Sequence, residues 1–243
     1  MDSQRTAELY GVGLGPGDPG LVTLAAMSVL ETAEIIIAPS SHPESMGRAE
    51  YIVHTLLPDR EVIRIPMQMA SGSEGIDRRL HAVRETIREL RPRLTSAAMS
   101  AFVTLGDPLL YSTFSLVVEA VVCEQLPIAV RVIPGVPAFL ALASLVTTNL
   151  LDNDERLHLV PATGDPGHLE HLLEDRESVL VIYKLSSNFA MLRAMIAQAG
   201  RQKGAMVGLE LGTDRMQVLT LSEAPDKVPY FATIIVPVQR RSA

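Results

Sequence analysis

The sequence predicts an α/β fold in two parts, and two observations carry that expectation. In the first half, short apolar runs alternate with stretches of helical spacing, as in strands joined by crossover helices in a mostly parallel sheet. In the second half, the last three apolar runs follow one another with no helical pattern between them, which points to antiparallel pairing and a mixed sheet. A chain of 243 residues has room for two domains, expected at 1–136 and 137–243.

The elements follow in order. "LYGVGLG" from Leu9 reads as a strand, "LVTLAAMSVLETA" from Leu21 as a helix, "EIIIAP" from Glu34 and "EVIRIP" from Glu61 as strands. "GIDRRLHAVRETIREL" from Gly75 sets Leu80, Val83, Ile87 and Leu90 three and four apart, one apolar helical face. "AFVTL" from Ala101 is a near-continuous buried strand that stops at Gly106-Asp107-Pro108, after which a helix is expected to resume at once, through "FSLVVEAVVCEQL" to the strand "IAVRVIPG". Later strands are read at "RLHLVPA", "SVLVIYKL", "GAMVGLEL", "MQVLTL" and "YFATIIVPV", with two helices among them.

Composition narrows the function. Hydrophobic residues make up 47% and charged residues 20%, as in ordinary soluble proteins, while 4% aromatics and no Trp leave an aliphatic core. No apolar run reaches the roughly 18 residues of a membrane helix, and "MDSQRTAELY" has no basic stretch leading into an apolar one, so a cytoplasmic location is expected. A net charge of −7 argues against a general affinity for nucleic acid. Of 21 basic residues only Lys184, Lys203 and Lys227 are lysines, so the cations are mostly guanidiniums suited to bidentate carboxylate contacts. Cys123, the single cysteine, has no internal disulfide partner and reads as a packed thiol.

The tripeptide Gly-Asp-Pro occurs at Gly17–Pro19, Gly106–Pro108 and Gly164–Pro166. Asp is a good helix N-cap and Pro suits the first helical turn, so each copy reads first as a strand-to-helix junction. The first two stand at ends of expected parallel strands, where they would line one crevice with free backbone N–H groups and a carboxylate. The third is read as a junction only.

Nucleotide motifs fail on inspection. A dinucleotide fingerprint needs a sixth-position Gly, and from Gly11 and Gly13 that position holds Pro16 and Asp18. A phosphate-binding loop needs a Lys after its last Gly, and the first Lys is Lys184. His42, His54, His81, His158, His168 and His171 make no ligand pair at a recognised spacing, so no metal is expected; "GVGLG" contains no Ser for a nucleophile elbow.

Three segments, "YGVGLGPGDPGLVTLAA" at Tyr10–Ala26, "TLGDPLLYSTF" at Thr104–Phe114 and "RVIPGVPAFLALAS" at Arg131–Ser144, resemble the successive signatures of the tetrapyrrole (corrin/porphyrin) methyltransferases. "VLVIYK" and "VPYFATIIV" resemble that family's later segments. "GDPLLYSTF" followed by "PYF" is most similar to the enzymes that methylate C20 of precorrin-2 or of its cobalt-bearing counterpart.

The resemblance implies two α/β domains with S-adenosylmethionine in the cleft between them, a tetrapyrrole substrate and a homodimer. By position it implies a cofactor site of Pro16, Leu105, Gly106, Asp107, Leu110, Ser112 and Thr113, then Pro137 and Ala138, then Tyr183, Lys184, Gly212 and Ala232. Two positions depart from the family pattern: Ala25 stands where many relatives carry Lys, which concerns a helix surface, and Pro137 stands where a small hydroxyl residue is frequent.

Methyl transfer to carbon requires alignment and, to restore conjugation, loss of a proton. Asp107 and Tyr111 are the nearest candidate bases, although Asp107 also reads as an N-cap or a cofactor hydrogen-bond acceptor. Arg78, Arg79, Arg84, Arg88, Arg91 and Arg93 are candidates for holding substrate carboxylates; the alternative is a solvated helix face paired with Glu85 and Glu89. The other functions open at this point are methylation of another ring position, a protein or RNA acceptor, and a non-catalytic sensor of S-adenosylmethionine.

Overall fold

The computed structural model describes residues 6–41, 44–67, 73–185 and 188–239. Contacts divide the chain into two compact units, Met1–Pro137 and Ala138–Ala243. His42 lies outside the described residues.

The first unit is built on strands β1 (Ala7–Gly13), β2 (Ile35–Ser40), β3 (Val62–Pro66), β4 (Met99–Thr104) and β5 (Ile128–Ile133). They lie in the order β3-β2-β4-β1-β5, and every pairing is parallel. Each connection is therefore a crossover, and all strand C-termini fall on one edge. Helices α1 (Leu24–Thr32), α2 (Arg48–Leu56), α3 (Ser73–Ser96) and α4 (Phe114–Cys123) supply the crossovers.

Side chains alternate between the two faces, and each face has its own core. Val12, Ile36, Ala101 and Val103 meet Ala26 and Leu30 of α1 and Ile52 and Val53 of α2. Leu9, Ile35, Ile37 and Phe102 meet Val83 and Ile87 of α3 and Phe114 and Val117 of α4. Phe114 stacks on Phe102 at 5.9 Å and fills the space over Gly11, where an added Cβ would come within 2.4 Å of its ring.

Two helices of this unit depart from expectation. α2 has no counterpart in the sequence reading; it is short, begins at Gly47 with Glu50 reaching back to the Gly47 N–H, and buries only Ala49, Glu50, Ile52 and Val53. α3 continues past Leu90, where the expected helix ends, through Pro92 to Ser96, and adds Leu94 to the buried face. Its last turn is held by the Thr95 and Ser96 hydroxyls bonding back to Arg91 and Pro92 carbonyls. Cys123 is exposed rather than packed, because α4 buries Val117, Ala120 and Val121 and turns its final residues outward.

The second unit carries β6 (Arg156–Pro161), β7 (Ser178–Tyr183), β8 (Met206–Leu209), β9 (Gln217–Thr220) and β10 (Ala232–Val236) in the order β6-β7-β10-β8-β9. β6 and β7 are parallel, and the remaining pairs are antiparallel, which makes the sheet mixed. Three helices are described where two were expected: α5 (Ala138–Leu145), α6 (Pro166–Glu174) and α7 (Phe189–Gln198). α5 is almost wholly apolar, so no amphipathic period marks it. Below the sheet, the fully buried Arg201 donates to the carbonyls of Asp175, Ser178 and Pro237, tying the ends of three segments together.

Candidate functional site

The C-terminal edge of the parallel sheet is where such folds bind ligands, because helix N-termini and unpaired strand-end groups gather there. In the first unit this edge is made largely of backbone. Gly15 and Gly106 form an antiparallel bridge, with the Gly106 N–H donating to the Gly15 carbonyl at 2.7 Å. Both hold left-handed φ values, 75° and 65°. Pro16 is buried just beyond, inside the turn that Gly15 opens.

Gly13, Gly106 and Gly135, from the ends of β1, β4 and β5, pack backbone against backbone. A Cβ on Gly13 would lie 2.5 Å from the Gly135 nitrogen and 2.6 Å from the Gly106 oxygen, and one on Gly135 would lie 2.2 Å from that same oxygen. The Cβ position of Gly106, in contrast, faces open space with no heavy atom within 4 Å. The strand ends are therefore closed against one another and open outward at Gly106.

The three Gly-Asp-Pro copies share one local geometry. The carboxylates of Asp18, Asp107 and Asp165 each accept from the N–H two residues on, at Gly20 (2.8 Å), Leu109 (2.8 Å) and Gly167 (3.0 Å). The first opens a single 3-10 turn, Pro19–Leu21, and the third caps α6. The middle copy leads into no helix at once: α4 starts at Phe114, and Asp107 instead spends its second oxygen on the Gly135 N–H at 3.0 Å. A candidate base thus has both oxygens engaged by backbone donors.

The loop between Asp107 and α4 carries the other candidates. Leu109 is 71% exposed at its tip, Leu110 is half-buried and its N–H bonds the Asp107 carbonyl at 3.2 Å. Tyr111 has a left-handed φ of 52° and stands 45% exposed, and burial of its hydroxyl pushes the phenol pKa above its usual value. Ser112 receives the Phe114 N–H at 3.1 Å and donates to Thr104 Oγ1 at 3.1 Å, so its hydroxyl anchors the start of α4 to the end of β4. Thr113 stands at the N-cap without a side-chain capping bond. Leu105 and Pro137 are half-buried, and Ala25 lies exposed on α1.

In the second unit, the candidates collect where β7 and β8 end and β10 begins. Tyr183 closes β7 opposite Thr233, and its hydroxyl accepts the Phe139 N–H at 3.3 Å, next to Ala138 at the start of α5. Lys184 follows with φ 60°. Ala232, buried, pairs with Leu209, and Gly212 sits at φ 75° in the turn that leaves β8. This turn is closed by Glu210 N–H to the Phe231 carbonyl and by an ion pair from Arg215 to Glu210 at 3.1 Å.

The arginines of α3 separate. Arg84 and Arg88 bond Glu124, just past α4, and Arg91 donates to the Glu124 carbonyl at 2.7 Å. Glu124 precedes β5, so these three guanidiniums stand toward the edge opposite the strand C-termini. Their partner is Glu124 on a neighbouring helix end, in place of the Glu85 and Glu89 of the alternative reading. Arg79 bonds the Gly75 carbonyl at 3.1 Å, near the start of α3. Gly13 and Gly135 lie in strand ends where a ligand is expected from the sequence but, like Thr104, are not among the candidate cofactor residues; the structure brings all three to the same edge as Gly106.

Comparison with known proteins now bears on this geometry. The family model of the tetrapyrrole (corrin/porphyrin) methylases matches residues 8–225. A cobalt-precorrin-2 C(20)-methyltransferase of Salmonella typhimurium is 29% identical over 96% of this chain and 97% of its own. A precorrin-2 C(20)-methyltransferase of Sinorhizobium is 30% identical over 98% of both. Among solved structures, a cobalt precorrin-4 methyltransferase superposes with a TM-score of 0.70 at 18% identity, over 95% of this chain and 94% of that one. A uroporphyrin-III C-methyltransferase of Thermus thermophilus, complexed with S-adenosylhomocysteine, does so at 0.65 and 20% identity, over 94% and 96%. The α/β fold is shared with these enzymes, and the chain belongs to the tetrapyrrole (corrin/porphyrin) methylases.

Proposed function

We propose that this chain transfers the methyl group of S-adenosylmethionine to C20 of precorrin-2 or of its cobalt-bearing counterpart. The observation that carries this reading is the match, over nearly the whole of both chains, to two relatives that bear that activity in their names. The first unit suits the cofactor because Gly106 leaves its Cβ position open at a strand end, so that a ligand can lie directly on the backbone.

When bound, S-adenosylmethionine supplies a methyl group on a sulfonium, displaced in line without need of a metal. The residues of this chain supply position and polarity. Strand-end carbonyls around Leu105 would face the positive charge; Pro16, Gly106, Leu110, Ser112, Thr113 and Pro137 are the first unit's candidates for holding the cofactor, and Ala138, Tyr183, Lys184, Gly212 and Ala232 are the second unit's. Asp107 holds backbone with both oxygens and Tyr111 keeps its proton, so neither is assigned as the base that takes the proton from C20. The protein works as a homodimer in the cytoplasm. Among the described residues no helix is long and apolar enough to cross a membrane.

The test is incubation of purified protein with methyl-labelled S-adenosylmethionine and, in parallel, precorrin-2 and cobalt-factor II, with mass and ring-position analysis of the product. One methyl added at C20 of either substrate is expected. Methylation elsewhere on the ring would move the reading to another position, and cofactor binding with no product from either would move it to another methyl acceptor or to a sensor.

A further inference from the structure

We infer that Asp107 is a positioning residue for cofactor binding, acting through the Gly135 N–H rather than on the reacting atoms. The inference rests on the reading of this edge as the S-adenosylmethionine site.

The three Gly-Asp-Pro loops act as an internal comparison. All use one carboxylate oxygen for the same local turn, at Gly20, Leu109 and Gly167. Asp18 and Asp165 are exposed, and each sits at the start of a helical segment, where that single bond completes a helix start. Asp107 is half-buried, and its second oxygen reaches the Gly135 N–H at 3.0 Å. Gly135 follows β5, and β5 does not adjoin β4, because β1 lies between them.

The bond therefore passes over the end of β1. It does so where β1 presents Gly13, whose absent side chain lets the Gly106 carbonyl and Gly135 close over it. One carboxylate thus holds two segments in register: the Leu109–Thr113 loop through Leu109, and the Gly135–Pro137 segment through Gly135. Both flank Gly106, the residue whose open side receives the ligand. Among the described residues neither segment is paired in a strand; the far end of the loop is tied to β4 through Ser112 and Thr104, and its near end through Asp107.

Asparagine separates the two roles. Its single carbonyl oxygen satisfies one N–H as well as aspartate does, so Asp18→Asn and Asp165→Asn keep their turns. At position 107 the amide can accept from Leu109 or from Gly135 but not from both, and its NH₂ opposes the remaining donor. Asp107→Ser is a second probe: it keeps one acceptor for the local turn and removes the far bond, and its hydroxyl hydrogen can rotate away from the Gly135 N–H, where the amide of Asn cannot.

The experiment is calorimetric titration of S-adenosylhomocysteine into the wild type and these four variants, together with steady-state kinetics. Asp107→Asn and Asp107→Ser are expected to weaken binding on the order of tenfold, the loss of one charge-assisted hydrogen bond. KM for S-adenosylmethionine rises in parallel, kcat at saturation and its pH profile stay near wild type, and Asp18→Asn and Asp165→Asn bind as wild type. Wild-type affinity in both Asp107 variants overturns the inference and leaves the proposed function standing. A collapse of kcat with an altered pH profile overturns it in favour of a base. Equal weakening in all four overturns it in favour of general loop stability. Failure of the wild type itself to bind S-adenosylhomocysteine removes the proposed function, and the inference with it.

Discussion

Arg88 Nη2 lies 2.9 Å from Glu124 Oε1, and Arg84 shares that oxygen, so the end of α4 is clamped to the middle of α3. The two guanidiniums hold the Glu124 carboxyl below the usual carboxylate range, Arg88 contributing most. A carboxyl whose folded pKa is depressed adds stability above its ordinary pKa, and that contribution disappears as pH falls through the lowered value. Glu124→Gln is therefore expected to lower the urea midpoint at pH 7 and to converge with the wild type at acid pH. Because both arginines are partly solvated, salt should narrow the pH 7 difference.

The same clamp predicts what these arginines leave alone. Arg91 donates to the Glu124 carbonyl, completing the C-terminus of α4 where orphan carbonyls collect. Arg91→Ala should lower Tm while KM for the tetrapyrrole stays within about twofold, since removal of a carboxylate contact would cost more. A large rise in KM with unchanged Tm would return Arg91 to the substrate.

Gly13→Ala tests the closure of the strand ends. Its methyl would stand within 2.6 Å of two backbone atoms, from Gly106 and Gly135, that belong to separate strand ends and have no rotamer to yield. Overpacking of this kind costs roughly 1–3 kcal/mol or more. Denaturant unfolding should show that loss, and a neutral result would mean that the strand ends separate easily.

Tyr111→Phe distinguishes a base from a surface group. Burial raises the phenol pKa above its usual value of 10.0, so the hydroxyl keeps its proton at neutral pH. The variant should retain kcat within about threefold with the same pH profile, where loss of a true base costs roughly 10²–10⁴-fold.

Arg201→Met probes the second unit. The substitution approximately conserves volume but leaves the Asp175, Ser178 and Pro237 carbonyls short of a donor, each worth about 1–3 kcal/mol when buried. Relief of the buried charge, whose Nε has no hydrogen-bond partner, offsets part of this. A net destabilisation of roughly 2–4 kcal/mol is expected by chemical denaturation.

By itself the sequence determined what depends on neighbours along the chain. The α/β alternation of the first unit, the mixed sheet of the second and the buried face of α3 at Val83, Ile87 and Leu90 all follow from local period and apolar content. The helix starts at Asp18 and Asp165 were also legible, because an Asp accepting from the residue two places on is a short-range event; after Asp107 the same local bond forms but the expected helix does not follow at once. α2 and α5 were not legible: one buries too few residues to show a period, and the other is apolar nearly all round.

The partners of carboxylates were decided only by tertiary structure. Glu124 lies 36 positions from Arg88, and Gly135 lies 28 from Asp107. No local pattern records such pairs, because they exist only once parallel strands have been ordered β4-β1-β5 and their C-terminal ends brought to one edge. Identical tripeptides thus have different tasks: Asp18 and Asp165 begin helical segments, and Asp107 reaches over a glycine of β1 to hold the end of another strand.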